Sequence, residues 1–233
     1  MHQIPSSAAP RAVLSRSALR ASASTALAGG GRIADLRRDA HGHGLLPVAR
    51  AVIDAGAERV LVDGPAEIAQ LAQHALPATD VGTVDIDSHL LYGIPGQGAS
   101  VPLPPLRLLG RVMSTKQLRA GDGVSYGYTY RAVSPHRIAL VTGGYAQGIV
   151  RALGNRAAVE IGGVMRPIIG RVAMDVCVVD LGESRAEVGQ PATFFGGSGP
   201  ARSALAEWAD VTGLTAAELM TVAASHAIHE EED

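Results

Sequence analysis

Lys116 is the only lysine in the chain and so its only side-chain amine able to condense with a carbonyl group. It sits in Ser114-Thr115-Lys116-Gln117, just ahead of the turn Gly121-Asp122-Gly123. That is the setting of a solvated surface lysine in a connection, not of a desolvated nucleophile. Tyr145 is bracketed by glycines in Gly143-Gly144-Tyr145-Ala146-Gln147-Gly148. A phenol with a pKa of about 10 acts as a base near neutrality only where its neighbours assist it. His41 and His43 stand two apart in the glycine loop Asp39–Gly44, a spacing that could serve a metal ion. No cysteine and no further histidine at ligand spacing completes the set, so loop histidines and no metal are expected. Asp85 and Asp87 alternate along an expected strand and would face one way, more as a solvated edge than as paired carboxylates. Gly196-Gly197-Ser198-Gly199 has the glycines of a phosphate loop but neither its lysine nor its strand–loop–helix order.

The elements that must position these groups fall into two patterns. Ser15–Leu27 has helical spacing and stops at Gly29–Gly31. Strand-like Arg32–Leu36, helical Leu45–Ala55 with Gly56 as its cap, strand-like Arg59–Val62 and helical Pro65–His74 then alternate, as in a parallel α/β unit. Leu76–Val84 shows little periodicity, and Gly93–Pro105 reads as a linker rich in proline and glycine. From there short alternating runs are broken by glycine: Leu106–Ser114, Gly123–Ala132, Arg137–Thr142, Ala157–Ile161, Val164–Ile169, Ala173–Leu181 and Ala192–Phe195. They predict a small all-β domain. Helices follow over Ser203–Val211 and Thr215–Ala227, the second opened by a Thr215–Glu218 capping box, and His226–Asp233 reads as a solvated acidic tail.

Composition narrows the class. Twenty basic and 22 acidic side chains give a net charge of −2, which argues against a nucleic-acid or anionic-membrane partner. Hydrophobic residues at 47% describe a globular chain. The single cysteine, Cys177, forms no internal disulfide, and no run is long and apolar enough to span a bilayer. A cytoplasmic protein is expected. Met1–Arg20 lacks the apolar segment of a secretory signal and reads as a frayed lead-in to the first helix.

Three ordered motifs resemble the carboxy-terminal domain of alanine racemase: Ser125-Tyr126-Gly127-Tyr128-Thr129-Tyr130, Gly143–Gly148 and Gly170-Arg171-Val172-Ala173-Met174-Asp175. The resemblance implies that Tyr145 is the family's catalytic tyrosine and that Met174 and Asp175 lie near the substrate. Gln147 stands where aspartate is usual and Ala173 where cysteine is. Arg37-Arg38-Asp39-Ala40-His41-Gly42-His43-Gly44 resembles the first barrel strand and loop, Glu67 the acidic residue opening the next helix, and Leu90-Leu91-Tyr92-Gly93 the end of the last strand.

The resemblance implies an isomerase that interconverts L- and D-alanine for cell-wall precursors, using pyridoxal phosphate held on a lysine. Its positions of cofactor contact are altered. Arg37 replaces the Schiff-base lysine, and His41 a tyrosine on the phosphate. Ile86 stands in for the arginine on the pyridine nitrogen, Ser88 and His89 for the phosphate-binding Gly-Ile, and Ala217 for another phosphate-binding tyrosine. A full barrel needs about 250 residues, and only about 100 precede the β domain. The expected fold is α+β, with a partial remnant of a (β/α)8 barrel in residues 1–95 and an alanine-racemase-like all-β domain in 96–233. The remnant would be a three-stranded parallel sheet of first, second and last strands. The expectation is no cofactor and no catalysis by this chain alone, in a homodimer or in a heterodimer with a full-length racemase. The alternatives are a non-catalytic partner docked on such a racemase, or residual activity with pyridoxal phosphate.

Overall fold

Ser15 ends one element and starts the next. In the computed structural model, which describes residues 9–94 and 102–233, β1 (Arg11–Ser15) runs straight into α1 (Arg16–Leu27). Ser15 Oγ accepts from the Ala18 amide at 3.2 Å and so satisfies a donor that a helix start leaves over. The strand corrects the expected frayed lead-in. Ala12, Val13 and Leu14 are all buried, and three covered residues in a row leave no period-two signature. Residues 1–8 of that lead-in, and part of the expected linker, lie outside the described residues.

The described residues divide into two units, one over residues 13–106 with 229–233, the other over 107–228 with 9–12. In the first, β2 (Ile33–Asp35), β3 (Arg59–Leu61) and β4 (Ala78–Thr79) form a parallel sheet in the order β2-β3-β4. Between them lie α2 (Arg37–Gly42), α3 (Leu45–Asp54) and α4 (Pro65–Ala72). The β4 strand is two residues long, too short for any pattern to announce it. It pairs with β3, so it does not take the place expected of the Leu90–Gly93 segment, which as the last barrel strand belongs beside β2. That segment is instead the end of a short helix, α5 (Ser88–Tyr92), closed by Gly93 at a left-handed φ of 59°. Just before α5, the amides of Asp85 and Ile86 both donate to the Ile33 carbonyl at 3.2 Å, so this stretch lies along the free edge of β2 without becoming a strand. A Cβ on Gly31 would collide with the Asp85 backbone and the Ile86 side chain, which is why the approach needs glycine.

The second unit is a closed antiparallel barrel. Its strands are β5 (Leu106–Leu118), β8 (His136–Thr142), β9 (Ala158–Ile161), β10 (Val164–Ile169), β11 (Val176–Gly182) and β12 (Pro191–Phe195). They run in the order β12-β9-β10-β11-β8-β5, and β12 pairs again with β5 to close the ring. Alternate residues such as Cys177, Val179 and Leu181 point inward, and Phe194 and Phe195 meet Trp208 edge-on at 6.2 and 5.6 Å. Trp208 belongs to α6 (Ala204–Thr212), which is followed by α7 (Ala216–Ser225). The Thr215–Glu218 capping box forms as expected.

Three expectations are corrected here. The β5 strand continues past Ser114, so Lys116 is an exposed strand residue opposite Ile138 rather than part of a connection. Gly123–Ala132 is a hairpin of β6 (Gly123–Val124) and β7 (Tyr130–Arg131), not one strand. Its alternating tyrosines imitate a strand, but Ser125, Gly127 and Tyr128 all take left-handed backbone angles. The acidic tail ends in β13 (Ile228–Glu232), whose five residues are all exposed and so carry no apolar pattern. No helix among the described residues is long and apolar enough to cross a membrane.

Candidate functional site

Two glycine-rich segments carry the residues singled out by sequence. In the β unit, Gly143 and Gly144 bring the Tyr145 turn against the Met174 loop. Backbone amides of Gly143, Tyr145 and Ala146 donate to the carbonyls of Asp175, Ala173 and Met174, each at 2.9 Å. Gly144 allows that approach, because a Cβ there would overlap the Met174 carbonyl. Gln147 closes the arrangement from the side. Its Oε1 accepts from the Gly144 amide at 2.9 Å while its Nε2 donates to Asp175 Oδ1 at 3.0 Å. A carboxylate at 147 could accept the first bond but not donate the second. Tyr145, Met174 and Asp175 are thus brought together. Tyr145 is 40% and Met174 55% exposed, and the Arg151 guanidinium lies over the Tyr145 ring at 5.2 Å. Tyr145 Oη makes no hydrogen bond among the described residues.

In the α/β unit the expected loop at Asp39–Gly44 is a left-handed helical turn. Arg38, Asp39, Ala40 and His41 have φ between 53° and 58°. Aspartate and histidine tolerate this region, but Arg38 and Ala40 do not favour it, and the conformation costs about 1–2 kcal/mol per residue. Local carboxylates offset the strain. Asp63 Oδ2 accepts from the Arg38 amide and Asp39 Oδ1 from the Leu45 amide, both at 2.6 Å, and Glu67 Oε2 in turn accepts from the Asp63 amide at 2.6 Å. The strained turn follows directly on the carboxyl end of the parallel strand β2.

Arg37 starts the turn and is spent on its neighbour. Its Nε and Nη2 donate to the two oxygens of Asp35 at 2.9 and 2.6 Å. Burial works to raise the Asp35 carboxyl, but the hydrogen bonds and charge of Arg37 outweigh it and hold the group below the usual carboxylate range. Tyr92 Oη donates to the Asp35 carbonyl at 2.6 Å, and burial pushes its phenol well above the usual value. His41 and His43 pack on the Tyr92 ring, with centroids at 5.0 and 4.7 Å. His43 is buried, and burial lowers it to about 3, so the ring is neutral; its Nδ1 lies 3.0 Å from the Ala40 carbonyl. Burial also lowers His41. Among the described residues no three His, Cys, Asp or Glu side chains are grouped to hold a metal ion.

The remaining sequence candidates lie apart from any chemistry of their own. Ile86 is core, 3% exposed. Asp85 and Asp87 are both exposed, either side of buried Ile86, and both are spent on backbone amides. Asp85 accepts from the Arg32 and Ile33 amides, both at 2.7 Å, and Asp87 caps α5, accepting from the His89 amide at 2.8 Å and the Leu90 amide at 3.4 Å. Ala217 is partly covered in α7, where its carbonyl accepts from Thr221 Oγ1 at 2.7 Å. Asp35 and Arg151 were not anticipated, and Asp87 was expected only as a solvated edge residue. Asp35 had a signal in its position two residues before Arg37, and Asp87 had the form of an N-cap, masked by reading its segment as a strand.

Residues 106–230 match the model of the alanine racemase C-terminal domain, more than half of the chain. The chain belongs to the alanine racemase family. Curated relatives include the alanine racemases of Salinispora arenicola, 39% identical over 133 residues, and Mycobacterium avium, 39% identical over 136 residues. Each alignment covers 56% of this chain but only 36% and 35% of the relative, so the chain spans about a third of the length of the relatives it matches. The fold match extends further. The alanine racemase of D-cycloserine-producing Streptomyces lavendulae superposes with a TM-score of 0.83 at 20% identity, covering 99% of this chain and 98% of that one. The Bartonella henselae alanine racemase, solved with covalently bound pyridoxal phosphate, matches with a TM-score of 0.75 at 14% identity, covering 96% of this chain and 99% of that one. Arg37 carries a guanidinium, which stays protonated at any working pH and cannot form a Schiff base.

Proposed function

We propose that this chain is a racemase-family protein that does not hold pyridoxal phosphate or racemise alanine on its own, and that it acts through its β unit beside another racemase chain. The observation that carries the first half is the bidentate Arg37–Asp35 pair at 2.9 and 2.6 Å. The residue in the place of the cofactor lysine is an arginine, and it is already matched by an internal anion. The neighbouring contacts point the same way. Ile86 offers no charge to a pyridine nitrogen, Ala217 offers no hydroxyl, and Asp87 places a carboxylate on the His89 amide, where the resemblance puts a phosphate. On this reading residues 13–94 are what is left of the family's barrel.

The second half rests on the Tyr145 loop. Its fold is braced by five backbone and side-chain hydrogen bonds, yet it presents Tyr145 and Met174 to solvent. Exposed aromatic and methionine side chains on a rigid turn suit a contact surface. A racemase chain that carries its own lysine would supply the cofactor, and Tyr145 would supply the second base, or this chain would dock there without chemistry. Purified protein incubated with pyridoxal phosphate and then dialysed against cofactor-free buffer should be colourless and should form no D-alanine. Borohydride reduction that fixes cofactor on Lys116 would overturn that. Sedimentation should show a dimer, or a complex with an added full-length racemase, weakened by Tyr145→Glu with Met174→Glu. A monomer that ignores the racemase would remove the partner role.

A further inference from the structure

A cleft of about 370 Å³ opens between α1 and α3. Its charged wall is made of arginines. Arg16 and Arg20 stand one turn apart on α1, and Arg50 faces them from α3. The floor is apolar, with Leu19 and Ala51 buried and Leu46 half-buried. One carboxylate already sits in this cleft. Glu231, from the exposed strand β13, accepts from Arg16 Nε at 2.7 Å. Arg20 makes no ion pair or hydrogen bond among the described residues, and Arg50 reaches only the His74 ring, at 3.3 Å. Asp54 is the other acidic group on the lining. Three guanidiniums against two carboxylates leave the cleft one charge positive, and two once Glu231 withdraws.

We propose that this cleft binds a small dianion with an apolar body, a phosphate monoester or a dicarboxylate, in competition with the Glu231 side chain, while β13 keeps its pairing with β1. Guanidinium forks are built to take planar or tetrahedral oxyanions two oxygens at a time. The resident carboxylate uses one of the three and lies in the open, with 41% of its side chain exposed and 53% of that of Arg16. Exposed pairs of this kind add little net stability. A ligand that engages Arg20 and Arg50 together, and covers Leu19 and Leu46 with its apolar part, therefore gains what Glu231 leaves unused. The inference does not depend on whether the chain works beside a racemase.

Calorimetric titration of the full chain with phenyl phosphate, and separately with benzylsuccinate, tests it. Saturable binding of at least one probe is expected, and the tighter one assigns the ligand class. Arg20→Met with Arg50→Met keeps the aliphatic stems and should weaken binding at least about tenfold, since two charge-assisted contacts go. Glu231→Gln should tighten it, and bound probe should shift the amide resonances of Glu230–Glu232. The double variant's thermal melt serves as the fold control, and Arg20→Gln alone replaces it if that melt collapses. No saturation of wild type or Glu231→Gln by either probe overturns the site. Binding that the arginine variants leave unchanged overturns it too, and binding that Glu231→Gln does not tighten overturns the competition.

Discussion

Restoring the missing amine should not restore the family's reaction. In Arg37→Lys the new ammonium lies within reach of Asp35, a carboxyl held below its usual range and only 14% exposed. An unperturbed lysine, with a pKa of about 10.4, has less than about 1% free amine at pH 8, and the Asp35 carboxylate lowers that fraction further. Binding is the larger obstacle. The resemblance puts contacts to the pyridine nitrogen at Ile86, to the phosphate at Ser88 and His89, and to the phosphate again at Ala217. Each lost charge-assisted contact is worth about 1.5–3 kcal/mol, so three together amount to roughly 5–9 kcal/mol, or about three to six powers of ten in affinity. The Asp87 carboxylate, 2.8 Å from the His89 amide, adds repulsion toward a phosphate dianion. The assay is visible absorbance after incubation with pyridoxal phosphate and dialysis, followed by coupled detection of D-alanine. A colourless, inactive variant with an unchanged circular dichroism spectrum is expected. Recovery of racemisation by this one change would mean that Ile86, Ser88 and Ala217 do not stand where the cofactor contacts belong.

Tyr92→Phe removes the buried bond to the Asp35 carbonyl and leaves that oxygen unpaired, so urea unfolding should show a loss of about 1–3 kcal/mol; an unchanged midpoint would refute the bond. His43 is neutral in the fold, lowered to about 3 by burial from 6.5, so its contribution is complete above pH 6.5 and is lost as pH falls toward 3 because the unfolded chain takes the proton first. Wild type should therefore lose stability against His43→Gln with a slope approaching about 1.4 kcal/mol per pH unit in that window, and parallel profiles would count against a buried neutral ring. Gly144→Ala drives a methyl into the Met174 carbonyl and should displace the Tyr145 turn, read as lost dispersion of the Tyr145 and Met174 resonances, with a native-like spectrum as the refuting result.

What sequence could show follows from how each element is covered. The β10 strand, bounded by Gly162-Gly163 and Gly170, was legible to the residue, and so was the Thr215–Glu218 box, because local chemistry alone makes them. The β1 and β4 strands were not. One is buried on three consecutive residues and the other is two residues long, so tertiary pairing rather than pattern defines both. Asp85–Gly93 was misread for a related reason: alternating Asp-Ile-Asp looks like a half-buried strand, but Asp87 turns it into a capped helix by binding two amides ahead of it. The left-handed turn at Arg38–His41 could not be foreseen, since only Asp39 and His41 favour such angles. The carboxylates that stabilise it come from the turn itself and from Asp63, 25 residues on from Arg38.

The two glycine-rich segments differ in how completely their polar groups are satisfied, and that difference bears on function. Around the α/β turn Arg37, His89 and Ile86 each have an internal role. Arg37 is matched to Asp35, the His89 amide to Asp87, and Ile86 fills core beside Gly31. A segment whose donors and charges are paired within the chain gains little from a ligand that must break those pairs first. Around Tyr145 the reverse holds. The backbone is braced, down to the Gln147–Asp175 bond, while the Met174 side chain and the Tyr145 ring, under the Arg151 guanidinium, remain partly open to solvent. Rigid backbone with unspent side chains is the arrangement that loses least entropy on contact with another surface. That contrast is the physical basis of the proposed division of labour, in which the cofactor would sit on another chain and Tyr145 on this one.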